Sequence, residues 1–195
     1  MVLLISLTCT LHAQRKSEVS QSPFNAAAYR VGERLTYNVS FSQFVSAAHV
    51  ELFVAGRGTF FNREGIQLRA HAETTGVINV ALFAINDDYT TYVDPATGLP
   101  FRAQQRVREA NRTSDSASDH NQPAGIAALP SQAGTESFPG TSDLLSALYR
   151  VRALPLVDGA SYFITVRNAG DEYQAEVRVT GHQVFKTGVG SFSTI

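Results

Sequence analysis

Apolar and polar residues alternate with a period of two in run after run of this chain, a pattern that belongs to half-buried β-strands. Leu35, Tyr37, Val39 and Phe41 alternate with Thr36, Asn38 and Ser40. Val50, Leu52 and Val54 flank Glu51 and Phe53, and Ile66, Leu68, Ala70 and Ala72 alternate with Gln67, Arg69, His71 and Glu73. Tyr89, Thr91 and Val93 continue the pattern, and two more runs follow at Tyr162–Arg167 and Tyr173–Thr180. Between the runs stand turn formers: Gly56-Arg-Gly58, Asn62-Arg-Glu-Gly65, Asp94-Pro-Ala-Thr-Gly98, Asp158-Gly159 and Asn168-Ala-Gly-Asp171. The expected fold is mainly β: a curved antiparallel sheet or partial barrel with one packed helix at about 142–152.

The helix is expected because Leu144, Leu148 and Val151 recur at helical spacing, with Leu145 widening the stripe. Thr141 or Ser142 is placed to cap it, Asp143 falls in its first turn, and Pro155 stops it. The Leu144/Leu148/Val151 stripe is expected to face the sheet. Thr74–Ala84 fits either a short helix or a buried strand. Residues 110–140 lack periodicity and are rich in Ser, Asp, Asn, Pro and Gly, which reads as a long polar loop.

Residues 1–13 read as a signal peptide with a clipped basic region. The apolar run Val2–Leu11 is too short to span a bilayer and is followed by Leu11-His12-Ala13, a cleavage-site pattern. Cys9, the only cysteine, follows Thr8 and Ser6 where a lipidation signal favours a small residue and an aliphatic one, so the pattern fits cleavage after Ala13 better than lipidation. Residues 24–195 then form a single β-rich domain, and because the chain stops inside a strand-like run it reads as incomplete at its C-terminus. Export to the periplasm or outer envelope is the expected destination. A formal net charge of −1 gives no reason to expect nucleic acid, and no transmembrane helix is expected.

Three stretches, in order, resemble a known family: Tyr29-Arg-Val-Gly-Glu33-Arg-Leu-Thr-Tyr37, Tyr92-Val-Asp94-Pro-Ala-Thr-Gly-Leu-Pro100, and Asp143-Leu-Leu-Ser-Ala-Leu-Tyr149-Arg-Val-Arg152. A Gly-Asp-Glu-Tyr hairpin and Gly181-His-Gln-Val-Phe-Lys-Thr-Gly188 follow. Together they resemble the bacterial family catalogued as domain of unknown function 3108 (DUF3108), over about residues 24–195. The resemblance implies an exported, largely antiparallel β protein and carries no reaction with it.

No residues are assigned as catalytic. No His-Glu-x-x-His spacing, cysteine cluster or Gly-x-Ser-x-Gly elbow occurs, so neither a metal nor a cofactor is expected. His71 and Glu73 share a strand face and read as a surface pair. Asp87, Asp88 and Asp94 suit turns; an alternative reading uses such carboxylates in a hydrolase or carbohydrate-active enzyme. The candidate ligand-binding residues are Phe53, Phe61, Arg102, Arg106, Arg108 and Arg112. The two phenylalanines break the inside–outside alternation, and the arginines concentrate forked donors suited to carboxylate or phosphate. The function these residues suggest is non-enzymatic: binding an apolar or amphipathic envelope component, such as a lipid or glycan, or an envelope protein.

Overall fold

The computed structural model describes residues 26–41, 44–122, 135–168 and 170–195. The signal-peptide reading at 1–13 and the middle of the proposed polar loop, 123–134, lie outside them. After a 3-10 turn at Ala26–Tyr29 come β1 (Arg34–Phe41), β2 (Phe44–Phe60), β3 (Arg63–Thr74), the short helix α1 (Gly76–Ala81), β4 (Asn86–Val93), β5 (Pro100–Glu109) and β6 (Arg112–Asp119). These six strands form one antiparallel meander in the order β1 to β6. The sheet is open, with β1 and β6 at its edges, and no barrel closes. Next come β7 (Thr135–Ser142), α2 (Leu144–Ala153), β8 (Ser161–Asn168), β9 (Asp171–Arg178), β10 (Gln183–Thr187) and β11 (Gly190–Thr194). β7, β8 and β9 make a second sheet, and β10 and β11 a separate hairpin.

The mainly β expectation holds, with corrections. Gly56-Arg-Gly58 is not a turn: β2 runs through it, and the ladder with β3 shifts register between Val54 and Gly56, because a strand glycine tolerates a bulge. The turn is Phe61-Asn62, with both residues at positive φ (52° and 62°), the geometry that matches a hairpin's twist. The polar loop is shorter than expected, since Arg112–Asp119 pairs along β5 and Thr135–Ser142 along β8. β7 runs parallel to β8, with α2 as the crossover, so the sheets are not wholly antiparallel. Thr74–Ala84 contains a helix, not a strand.

The largest correction concerns α2. Asp143 is its N-cap, accepting a 2.7 Å hydrogen bond from Ser146 N, in place of Thr141 or Ser142. Leu144 and Leu148 are exposed, whereas Leu145, Tyr149 and Ala153 pack with Val54, Ile66, Leu68 and Val93 of the large sheet. Ala147 joins Tyr162, Ile164, Val166 and Val179 against the second sheet, with Val151 packed alongside. The helix therefore buries two faces, one against each sheet. Even Arg150 is buried, its Nη1 donating to Ser142 Oγ at 2.8 Å.

The Tyr149 ring stacks on Tyr29 with centroids 5.7 Å apart. Burial pushes the Tyr149 hydroxyl up to about 12 and shifts Tyr29 upward as well. Both stay protonated in the folded chain at pH values where the unfolded chain ionises them. Their contribution to stability is complete below the ordinary tyrosine value of 10 and is lost as pH climbs from there toward about 12. Denaturant titrations at increasing alkaline pH should show falling stability, with tyrosinate absorbance from these two rings appearing only on unfolding. Stability that stays flat across that window would contradict their burial.

Candidate functional site

Alternation gives the large sheet two chemically distinct faces. On the outer face the register aligns Thr36, Glu51, His71, Asp88, Arg106 and Asp115 in one rung across all six strands. The neighbouring rung is Arg34, Phe53, Arg69, Thr90, Gln104 and Ala117. Ion pairs run along and between these rungs. His71 Nδ1 lies 3.0 Å from Asp88, and Nε2 lies 3.7 Å from Glu73. Arg108 Nη1 lies 2.7 Å from Asp115, and that contact holds the Asp115 carboxyl below its usual range. Arg106 reaches the same carboxylate more loosely, at 3.9 Å.

At the hairpin end of this face, Phe61 folds over Tyr92 edge-on with centroids 5.0 Å apart, and the Arg102 guanidinium lies 4.4 Å from the Phe61 ring centroid. Arg102 also bonds Asp119 at 2.7 Å. A phenylalanine in the left-handed region carries a strain of roughly 1–2 kcal/mol, and these aromatic and cation–π contacts offset it.

The inner face is apolar and only partly covered. α2 crosses it between Thr91, whose Oγ1 donates to Asp143 Oδ2 at 2.8 Å, and Glu33, which takes both forks of Arg152 at 2.7 Å. At the other end Thr74 Oγ1 lies 3.1 Å from the Phe83 carbonyl and 3.3 Å from Asn79 Oδ1, which ties α1 to the same face. Between the helices the sheet presents Leu35, Leu52, Ala70 and Tyr89 in one rung and Tyr37, Val50 and Ala72 in the next. Tyr37 is 49% exposed, and Leu35, Val50, Leu52, Ala70 and Tyr89 are half-buried. Leu144 and Leu148 lie on the same side of α2 as Arg152, one turn apart, and so edge this trough; Leu82 and Phe83, both exposed, follow α1 at its opposite end. Asp87 is buried in the floor, where it accepts from Arg108 N (2.8 Å) and the Tyr89 hydroxyl (3.1 Å). Burial, with Asp87 adding to it, pushes Tyr89 up to about 12.

A family model described as "Protein of unknown function (DUF3108)" matches residues 36–195. The chain belongs to the DUF3108 family. No curated protein and no solved structure matches it.

In this DUF3108 chain the six predicted site residues do not form one site. Phe61 and Arg102 meet directly, and Arg106 and Arg108 share Asp115. Phe53 sits in a different rung under the Arg34 guanidinium, which is 4.6 Å from its ring centroid. Arg112 opposes Glu109 at the β5–β6 turn and acts electrostatically on Tyr89 of the inner face. The carboxylates of the enzymatic alternative are each engaged locally: Asp87 and Asp88 as above, and Asp94 by Ala96 N and Thr97 N of its own turn. Among the described residues no cluster of three metal-ligating side chains occurs, and no helix is long and apolar enough to cross a membrane. The sequence reading singled out neither Tyr37 nor Arg69 as a site residue, and it placed Leu148 against the sheet, where the structure leaves it exposed. The exposed Tyr37 could have been flagged only by knowing where α2 stops, and Arg69 reads as an ordinary solvated strand position.

Proposed function

We propose that this DUF3108 chain is a non-enzymatic protein of the bacterial cell envelope that holds an apolar or amphipathic molecule against the inner face of its large sheet. The supporting observation is the trough between α1 and α2, where strand positions patterned for burial are left half-open and the outer α2 leucines edge the gap. Exposed contiguous apolar surface of this kind is uncommon unless it is covered by a ligand or partner. Each buried methylene contributes about 0.8 kcal/mol, so one acyl or isoprenoid chain along the strand rungs gains useful affinity without any polar contact. Export is supported by the apolar Val2–Leu11 run and the Ala13 boundary.

The test uses the full chain purified from its own envelope. Organic extraction under denaturing conditions, followed by lipid mass spectrometry, should release a stoichiometric amphiphile, and amino-terminal sequencing of the same preparation should begin at Gln14. Leu148→Glu should abolish the bound molecule while the fold persists, because that side chain is already exposed. A folded protein that carries no amphiphile, and takes up none from palmitate or phosphatidylglycerol vesicles, would sink the proposal.

A further inference from the structure

The outer face of the same sheet holds a second, chemically different depression, of about 470 Å³, lined by Arg69, Asp88, Thr90, Gln104, Arg106 and Asp115. Its two carboxylates are already engaged, Asp88 by His71 and Asp115 by Arg108. Arg69 makes no ion pair among the described residues, and Arg106 has only the 3.9 Å contact. The depression therefore offers two guanidinium forks with unused donors, a hydroxyl, an amide, and carboxylate oxygens with spare acceptor capacity.

We propose that this depression is a binding site for an acidic saccharide. A sugar carboxylate lies against Arg69 and Arg106, where planar forks match it bidentately. The ring hydroxyls donate to Asp88 and Asp115 and exchange hydrogen bonds with Thr90 and Gln104. The mix of groups selects this class. Phosphate concentrates its charge on one compact group and brings few hydroxyl donors to the two aspartates, while a uronate sets a planar carboxylate on the forks and ring hydroxyls on the carboxylate oxygens. A neutral sugar leaves the guanidinium forks without an anionic partner. The site is separate from the trough, which lies on the opposite face of the sheet, and does not depend on it.

The experiment is titration of the full-length protein with digalacturonate, followed by calorimetry or amide chemical shifts, with the neutral galactose disaccharide and inorganic phosphate as controls. Saturable binding of digalacturonate alone is expected, weakening with added salt. Arg69→Gln and Arg106→Gln should each weaken it about tenfold, the value of one charge-assisted hydrogen bond, and the double variant should abolish it. Both side chains are exposed, so the unfolding midpoint should stay constant and certify the fold. Leu148→Glu should leave digalacturonate binding unchanged, which separates this site from the trough. Absence of saturable binding, unchanged binding in the double variant, or phosphate binding as tightly as digalacturonate would each overturn the assignment.

Discussion

Tyr149→Ala is expected to destabilise the fold by about 3–5 kcal/mol, the usual cost of truncating a large buried aromatic, whereas Leu148→Ala should cost less than about 1 kcal/mol. The two residues are adjacent in sequence, but Tyr149 is 1% exposed and Leu148 47%. Tyr149 fills the space between α2, the Tyr29 ring and the sheet core of Val54, Leu68 and Val93. Removing its ring leaves a cavity bounded by three elements that cannot all move inward. Tyr149→Phe isolates the ring from the hydroxyl. That hydroxyl makes no hydrogen bond among the described residues, so the phenylalanine variant should stay within about 1 kcal/mol of the parent. Equilibrium urea titration of the three variants decides the matter. A larger loss for Leu148→Ala than for Tyr149→Ala would mean that α2 is rotated relative to its position here.

Asp143→Ala should cost about 2–3 kcal/mol, more than an isolated helix cap. One carboxylate oxygen caps α2 through Ser146 N, and the other accepts from Thr91 Oγ1 on β4, which is buried. Loss of the cap accounts for about 1 kcal/mol, and the orphaned Thr91 hydroxyl adds about 1–2 kcal/mol for a buried donor left without its partner. Asp143→Asn keeps a capping oxygen and should recover most of the first contribution. Urea titration reads both variants. A loss of only about 1 kcal/mol for Asp143→Ala, recovered in Asp143→Asn, would show that the Thr91 contact contributes nothing.

The large sheet was legible because its strands are amphipathic, with one face solvated and the other buried. Leu35–Phe41 and Ile66–Glu73 therefore carried a period-two signal strong enough to place strands, as did Tyr162–Arg167 in the second sheet. β6 was not legible. Arg-Thr-Ser-Asp-Ser-Ala-Ser-Asp is polar on both faces, and it becomes a strand by pairing with β5, an effect of partner and not of pattern. The helix was located correctly but its orientation was not. A helix packed on one side shows one apolar stripe, whereas α2 is held between two sheets and shows three candidate stripes. The most leucine-rich of them is the one left facing outward. The arginine-rich stretch was taken as one patch because its members are close in sequence. Strand parity and the β5–β6 turn set Arg112 apart from Arg102, Arg106 and Arg108. Arg69 contributes to the outer depression from two strands away, a proximity that only the pairing of β3 with β4 and of β4 with β5 creates.

The crossing position of α2 also has a consequence for how the chain comes into being. Strands β1 to β6 pair only with sequence neighbours, so the meander closes by short, local hairpins and is complete once Asp119 has emerged. Its cover arrives later: the Glu33–Arg152 pair that fixes α2 over the sheet joins residues 119 positions apart. During amino-to-carboxyl synthesis there is thus an interval in which a finished sheet displays Val54, Leu68 and Val93 without Leu145, Tyr149 and Ala153 of α2 over them. The apolar core of the large sheet is therefore completed last, by a single ten-residue segment, α2.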